Sequence, residues 1–427
     1  MNIPEKVNSI LEILEENGYE AYVVGGCVRD SLLGLQPHDY DITTSATPEE
    51  MHRVFPRYSD TGLQHGTVTV IIDHQGFEVT TYRTEKTYSD HRHPDEVSFS
   101  RDIRDDLSRR DFTINAMAYN RSGLLDLFGG QQDLEAGIIR TVGNADERFE
   151  EDALRILRAI RFASRFNFEI EEKTREAIFS HREDLRYVSQ ERILKEMNEI
   201  LCSQYAERYL LDYAEVFEVI VPELTAIMDF PQNHKYHIYD LWHHTVRVVA
   251  ESPAKPAVRW AALLHDIGKP EVRTVSEKGR DRYIGHAQAS ARIAEAVLER
   301  LHMERKTSDE VLMLIRNHDQ LPKAARLLNR MGEYALDLIA FKKADCLAQN
   351  TEYSRPEQCD ELEAEVRKLI EEKAPVRIAD LKISGKDLME MGYQGREIGD
   401  KLNEIMDRVL EGYPNEKEEL LKLAERG

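Results

Sequence analysis

The 427-residue sequence predicts an α+β chain with a small mixed sheet at its N-terminal end and helices from there to its C-terminus. Up to about residue 140, short β-branched and aromatic runs ("YEAYVV", "DYDIT", "TVTVII", "FEVTTYR") are separated by Gly, Pro and His-Asp breaks. From about residue 145, apolar residues fall three and four apart, as in "EEDALRILRAIRFASRF", "EKTREAIFSHREDL", "SQERILKEMNEILCS" and "AERYLLDYAEVF". A hydrophobic fraction of 41% and a charged fraction of 32%, over a length too great for one core, predict two or three folded domains.

The first stretch reads as an amphipathic helix with Val7, Ile10, Leu11 and Leu14 on one face, and it carries acids where a signal peptide would be apolar. No run approaches the length a membrane helix needs, so no membrane partner is expected. Cys27, Cys202, Cys346 and Cys359 are widely spaced without a CxxC pair, which suits a reducing cytoplasm. Residues 270–287 read as a loop or short hairpin, and the Pro-containing breaks at 221–232 and 374–376 as joints. The net charge of −22 excludes whole-molecule attraction to nucleic acid. Any such binding needs a local basic face, for which 155–166 ("RILRAIRFASRF") and 186–195 are the candidates.

Residues 21–44 read "AYVVGGCVRDSLLGLQPHDYDITT". On a strand, residues one apart share a face, so Asp39 and Asp41 are expected to point together. Two parallel carboxylates are hard-oxygen ligands suited to Mg²⁺, the platform that two-metal phosphoryl transfer requires. Gly25 and Gly26 allow close backbone approach, and the helix after them offers N-terminal amides to phosphate. In "FEVTTYR", alternation sets Glu78, Thr80 and Tyr82 on one face, making Glu78 the candidate third carboxylate. A DxD alone suits a solvated turn equally well; the GGxVRD ahead of it tips the reading to chemistry.

These stretches, followed in order by "RRDFTINAMAYN", "LLDLFGGQQDLEAGIIRTVG", "EEDALRILRAIRF" and "ERILKEMNEIL", resemble class II tRNA nucleotidyltransferases. That group comprises bacterial CCA-adding enzymes and their poly(A) polymerase relatives. The resemblance covers roughly residues 20–220 and implies a polymerase-beta-like nucleotidyltransferase head and an all-helical neck. It implies Mg²⁺ at Asp39 and Asp41, and nucleotide contacts from Gly25, Gly26, Arg29, Arg110, Asp111, Asn115, Asp152, Arg155, Arg158 and Arg161. Of these, Arg110 and Asp111 would select ribose, and Asp152 and Arg155 would read the base of CTP or ATP. Spaced three apart on a helix, Asp152 and Arg155 are expected on one face, though "EDALR" equally suits an intrahelical salt bridge. Gly129-Gly130 matches a flexible joint, and "TEKTYSDHRHPDEV" (84–97), with Asp90 and Arg92, a flexible loop.

Farther on, "HIYDLWHHTVRVVAESPAKPAVRWAALLHDIGKP" sets His265-Asp266 inside an apolar run, a costly position unless the pair is ligated. It resembles the HD phosphohydrolase superfamily. That implies divalent metal ligands at His244, His265, Asp266 and Asp345, with His286 and His318 where two-metal members have additional ones. An inactive helical body is the alternative. Lys269 is a candidate phosphate contact, while surface or capping roles are expected for His237 and His243. In the tail, "MGYQGREIG" between two helices suits a tRNA-backbone contact at Gly392, Gly395 and Arg396 or a plain αα turn.

The resulting division is 1–143 head, 144–226 neck, 227–372 HD-type domain and 373–427 helical tail. The expected activity is CCA addition to the tRNA 3′ end and acceptor region from CTP and ATP, by a monomer or homodimer. An added phosphohydrolase would cleave 2′,3′-cyclic phosphates or phosphate monoesters of RNA ends. A-adding enzymes and poly(A) polymerases share nearly every motif. A uridylyltransferase or signalling enzyme, and an RNA-binding protein with dead sites, are the competing classes.

Overall fold

The computed structural model describes residues 1, 3–63, 66–86, 96–233, 236–319 and 321–425; Asp90 and Arg92 lie outside these. The chain divides into two compact units, Met1–Pro222 and Glu223–Gly427.

The first unit opens with α1 (Glu5–Glu16), whose Val7, Ile10, Leu11 and Leu14 are buried as their spacing predicts. Then come β1 (Ala21–Val24), α2 (Gly26–Leu32), β2 (Asp41–Thr44) and α3 (Pro48–Val54), the last started by a Thr47–Glu50 capping box. β3 (Tyr58–Gly62), β4 (Thr67–Ile72) and β5 (Gln75–Thr81) follow, then a ribbon of β6 (Arg83–Lys86) with β7 (Glu96–Phe99), α4 (Ile103–Ser108), β8 (Met117–Asn120) and β9 (Gly123–Asp126). The main sheet runs β3-β4-β5-β2-β1-β8-β9. β2 and β5 pair in parallel and the other neighbours antiparallel, so the sheet is mixed as expected.

Two expectations change here. Strand β2 begins at Asp41, so Asp39 lies in the irregular stretch just ahead of it and not on the strand. Strand β5 ends at Thr81, and Tyr82 is buried against Val24, Ile103, Leu107 and Ala118 instead of sharing a face with Glu78. A large ring gains more from the core than a strand face would give it.

The rest of this unit comprises α5 (Gly130–Ala136), α6 (Ala145–Glu151), α7 (Leu154–Phe166), α8 (Glu172–His181), α9 (Gln190–Leu201), α10 (Ala206–Asp212) and α11 (Ala214–Ile220). A short parallel pair, β10 (Ile138–Ile139) with β11 (Glu169–Ile170), ties the segment after α5 to the one after α7. Gly129 has a left-handed φ of 77°. At Gly130, a Cβ would lie 2.2 Å from the Thr113 carbonyl oxygen, so close packing requires this glycine. The Asp126 carboxylate also accepts from the Gly130 and Gln131 amides at 2.9 and 2.8 Å, pinning the turn.

The second unit is almost all helix: α12 (Leu241–Glu251), α13 (Pro256–Leu264), α14 (Lys269–Val272), α15 (His286–Arg300), α16 (Arg305–Asn317), α17 (Ala324–Met331), α18 (Ala335–Leu347) and α19 (Glu357–Glu371). The expected hairpin is present as β12 (Thr274–Val275) paired with β13 (Asp281–Arg282). The tail helices α20 (Gly385–Glu390), α21 (Arg396–Leu410) and α22 (Lys417–Ala424) share their own core around Leu388, Tyr393, Ile405 and Leu420. Among the described residues, no helix is long and apolar enough to cross a membrane.

Gly130→Ala is expected to destabilise the first unit by about 3 kcal/mol, because the new methyl meets backbone. Gly129→Ala should cost only about 1 kcal/mol, the penalty of a left-handed residue. Chemical denaturation midpoints of the two variants measure the difference.

Candidate active sites

The strand alternation that sets Asp41 beside Thr43 and Glu78 beside Thr80 brings all four to one cavity of about 150 Å³, with Asp106, Arg109 and Arg110 on its wall. The parallel register Ile42↔Val79 makes Asp41 and Glu78 neighbours across β2 and β5. Burial raises the Asp41 carboxyl, Arg110 opposes this and nearby Asp39 adds to it. Gly25 leads into α2 with a φ of +77°, and a Cβ there would come within 2.9 Å of the Arg110 guanidinium. The glycine therefore makes room for that side chain. Asp106, fully buried, orients both arginines: it accepts from Arg109 at 2.7 Å and Arg110 at 3.3 Å. Its signal was present in "DDLSRR", where acid and arginines are three and four apart.

The other expected contacts form a buried relay outside this cavity. Arg29 donates to Asp30 at 2.6 Å and to the Asn115 carbonyl oxygen at 2.6 Å, under the Phe162 and Phe166 rings. Asn115 donates to Asp111 at 3.0 Å, and Arg158 donates to the other oxygen of Asp111 at 2.8 Å. Burial pushes the Asp111 carboxyl up, but Arg158 and Asn115 overcome it and hold the group down at about 2. Arg161 lies 2.7 Å from Glu196 of α9. The basic face expected over 155–166 thus turns Arg155, Arg158 and Arg161 toward internal partners.

Asp152 and Arg155 do not share a helix face. Asp152 breaks the helical run between α6 and α7 with φ −152° and ψ 100°, and its side chain accepts from the Leu154 amide at 3.1 Å. Aspartate competes with the helix by such local bonds, so it caps where periodicity suggested continuity. Its second oxygen takes Arg192 of α9 at 2.7 Å, a partner far in sequence. Arg155 pairs with Glu151 at 2.6 Å and donates to the Arg109 and Arg148 carbonyls. The intrahelical-type pair is therefore present, but from Glu151.

In the second unit, α13 ends at Leu264, so His265 and Asp266 lie in the turn beyond it, not inside the helix. His244 (α12), His286 (α15), His318 (just after α16) and Asp345 (α18) converge on the pair. The four imidazoles share one arrangement. Each Nδ1 faces a backbone carbonyl: Ala348 at 3.3 Å for His244, Ala262 at 2.8 Å for His265, Tyr283 at 2.9 Å for His286, and Ile315 at 2.7 Å for His318. A proton on Nδ1 leaves the Nε2 lone pair pointing inward, the form that binds metal.

Some of the inward atoms are left over. His244 Nε2, His265 Nε2 and Asp266 Oδ1 are buried without a hydrogen-bond partner. His244 Nε2 is 3.6 Å from Asp266 Oδ2 and 3.3 Å from Asp345 Oδ1, and His265 Nε2 is 3.0 Å from Asp266 Oδ2. Orphaned inward atoms of nitrogen and carboxylate type fit a divalent ion. Burial raises both carboxylates, but imidazoles and ammonium groups, Lys269 at 2.6 Å from Asp266 and Lys342 at 2.7 Å from Asp345, hold them well below the usual range.

All of these groups except His244 line a cavity of about 450 Å³ with Tyr236, Tyr283 and Gln349. His243 is at the surface, as expected: Asp240 caps α12 by accepting from the His243 amide at 2.8 Å, and the His243 ring lies 2.7 Å from the same carboxylate. His237 does not sit on the surface: it lines the cavity beside His244, and burial depresses its imidazole to about 3. Lys342 and Asp319 were not picked out in the sequence, although "HD" at 318–319 repeats the doublet at 265–266.

Asp111→Asn should destabilise the first unit by about 2 kcal/mol at neutral pH, because the half-buried Arg158 loses its charged hydrogen-bond partner. With its folded value depressed, Asp111 contributes stability above about pH 4 that is lost as pH falls toward 2. Acid-unfolding profiles should show that loss in the parent and not in the variant.

Residues 21–140 match the family described as Poly A polymerase head domain, 167–228 the probable RNA and SrmB-binding site of polymerase A, and 236–380 the HD domain. The CCA-adding enzyme of Lactobacillus delbrueckii subsp. bulgaricus is 51% identical over 205 residues, 48% of this chain and about half (52%) of that relative's length. The CCA-adding enzyme of Levilactobacillus brevis is 36% identical over 421 residues, 98% of this chain and 96% of the relative. The crystal structure of Bacillus stearothermophilus CCA-adding enzyme in complex with CTP superposes with a TM-score of 0.74 at 30% identity, covering 99% of this chain and 97% of that one. With the carboxylate cavity in the sheet and the histidine–aspartate cluster among the helices, the similarity along the whole length makes the chain a member of the CCA-adding enzyme family of tRNA nucleotidyltransferases.

Proposed function

We propose that the chain completes the 3′ end of tRNA, adding CMP and AMP from CTP and ATP and releasing pyrophosphate. The observation that carries this reading is Asp41 beside Glu78 across the parallel β2–β5 pair, with Arg110 in the same cavity. Asp39 and Asp41 provide only hard oxygen donors, which suits Mg²⁺, and two such ions would supply charge that activates the terminal 3′-hydroxyl and steadies the leaving pyrophosphate.

Glu78 serves as the third carboxylate of this site. Arg110 is held by Asp106 and given room by Gly25, and it offers donors to phosphate or ribose oxygens in the cavity. Asp111, Asn115, Arg29, Arg158 and Arg161 hold the helix behind it. Asp152 accepts the exocyclic amine that cytosine and adenine share, and Arg155 donates to their ring acceptors. Both must exchange their present partners, Arg192 and Glu151, for the base.

In this reading residues 1–143 are the catalytic head, 144–226 the nucleotide-reading neck, 227–372 a phosphohydrolase and 373–427 a tRNA-contacting tail. The second unit hydrolyses phosphoesters of RNA ends, 2′,3′-cyclic phosphates and monoesters. The inward Nε2 atoms and carboxylates support a divalent metal held by His244, His265, Asp266 and Asp345.

Purified protein incubated with tRNA transcripts ending at the discriminator base, at C and at CC, each with one nucleotide, is expected to add CMP to the first two and AMP to the third. Addition of AMP alone would replace this reading with an A-adding or poly(A) activity. Asp41→Ala should lower addition about 10³-fold or more without changing the folded far-ultraviolet spectrum. Hydrolysis of a 2′,3′-cyclic nucleotide should vanish on chelation and return with Mn²⁺, and His265→Ala should abolish it while leaving CMP addition intact.

A further inference from the structure

We infer that the second unit holds a nucleoside subsite beside the histidine–aspartate cluster, with Tyr353 as its base-stacking surface. The inference rests on the phosphoester-hydrolase reading of that cluster and names the ester it prefers, one whose alcohol is a nucleoside.

A second cavity, of about 540 Å³, lies between α18 and the first half of α19 and shares Lys342 and Gln349 with the cluster cavity. One carboxylate fixes both shared side chains: Lys342 donates to Asp345 Oδ2 at 2.7 Å, and Gln349 to Asp345 Oδ1 at 3.0 Å. The aromatic rims meet as well. Tyr236 of the first cavity and Tyr353 of the second stand edge to face, with ring centroids 5.8 Å apart. The Tyr236 carbonyl also accepts from the Asn350 amide at 2.8 Å, which ties the two walls together. An ester with its phosphate at the cluster therefore has a formed cavity next to it for its alcohol.

The lining suits a nucleoside better than a plain alcohol. The volume lies within the range of small-ligand sites, about 300–1,000 Å³. Tyr353 is 43% exposed, and Pro322 and Leu362 add apolar surface. An exposed ring among apolar side chains offers a base a stacking face. Gln358 and Glu361 offer acceptors for ribose hydroxyls. Lys342 is the cation that both cavities share, whereas Glu361 and Glu365 line only the second. Like charges repel, so the phosphate belongs on the Lys342 side and the sugar and base beyond it. In the hydrolysis of a 2′-monophosphate, the water oxygen bonds to phosphorus and the bond from phosphorus to the ribose 2′ oxygen breaks. A proton passes to that oxygen, leaving a nucleoside in the second cavity and inorganic phosphate in the first.

Two phosphomonoesters of secondary alcohols separate the subsite from the chemistry: adenosine 2′-monophosphate, and glycerol 2-phosphate, which lacks ribose and base. With Mn²⁺ present, the full chain is expected to show a kcat/KM about tenfold or more higher for the first. Tyr353→Ala should remove about tenfold of that preference through KM, and Tyr353→Phe should restore it, since stacking needs the ring and not the hydroxyl. Gln358→Trp, at an exposed position of α19, should fill the cavity and abolish the preference. Binding is read without metal: in equilibrium dialysis of the chelated chain with adenosine 2′-monophosphate, Gln358→Trp should bind one equivalent fewer than the parent. Circular dichroism checks that each variant is folded. Equal kcat/KM for the two esters, or equal dialysis of parent and variant, would overturn the subsite. Hydrolysis of neither ester, with the equivalent still lost in Gln358→Trp, would instead sink the hydrolase reading and leave the nucleotide site standing.

Discussion

A charge removed from water needs a counter-charge or a ligand, and each unit of this chain is arranged around that requirement. In the first unit the requirement is met by pairing. Arg29, Asn115 and Asp111 are buried and form one connected chain with the half-buried Arg158, and Asp106 holds two arginines at once. In the second unit, pairing is incomplete by design of the tautomers: four Nδ1 atoms face carbonyls, and Nε2 atoms are directed at carboxylates. The first arrangement makes a rigid support for a small exposed cavity. The second gathers inward nitrogen and carboxylate atoms of a kind that could hold a metal ion.

The support in the first unit explains why so few of its polar residues reach the cavity. Asp41, Glu78 and Arg110 line it, while six of the residues that resemble nucleotide contacts sit in the relay or in pairs with α9. A site that discriminates nucleotides by side-chain hydrogen bonds depends on donors held in fixed directions, because an error of an ångström removes the selectivity. Asp106 and Gly25 fix Arg110 in this way, one by holding it and the other by leaving space. Arg192 performs the corresponding task for Asp152 from a helix forty residues away.

Some of this was legible from local pattern. Period-two alternation placed Glu78 and Thr80 on one face, and both line the cavity, since β geometry leaves side chains only two directions; that Asp41 lies beside them was decided by the β2–β5 pairing. Residues 270–287 read as a loop or short hairpin, and the short β12–β13 pair lies within them. Where two local preferences were close in energy, pattern failed. Asp152 could continue a helix or cap one, and capping is worth about 1 kcal/mol, enough to end α6 there. Tyr82 could finish a strand face or fill a core, and it fills the core.

The order of chemical types along the chain, two carboxylates after a glycine pair, then arginine–aspartate pairs, then histidines and aspartates at helix ends, was determined by the sequence alone. It carried the family and the broad division into sheet and helices, because strand and helix periods and residue chemistry are local properties. What only the tertiary structure decided is which of those groups face one another. The Asp152–Arg192 bond, the Arg29–Asn115 bond, the meeting of His286 with His318, and Asp319 beside them all join residues from different elements. Such contacts arise from packing of whole helices and sheets, and packing is set by the sum of many buried surfaces that no single stretch of sequence contains.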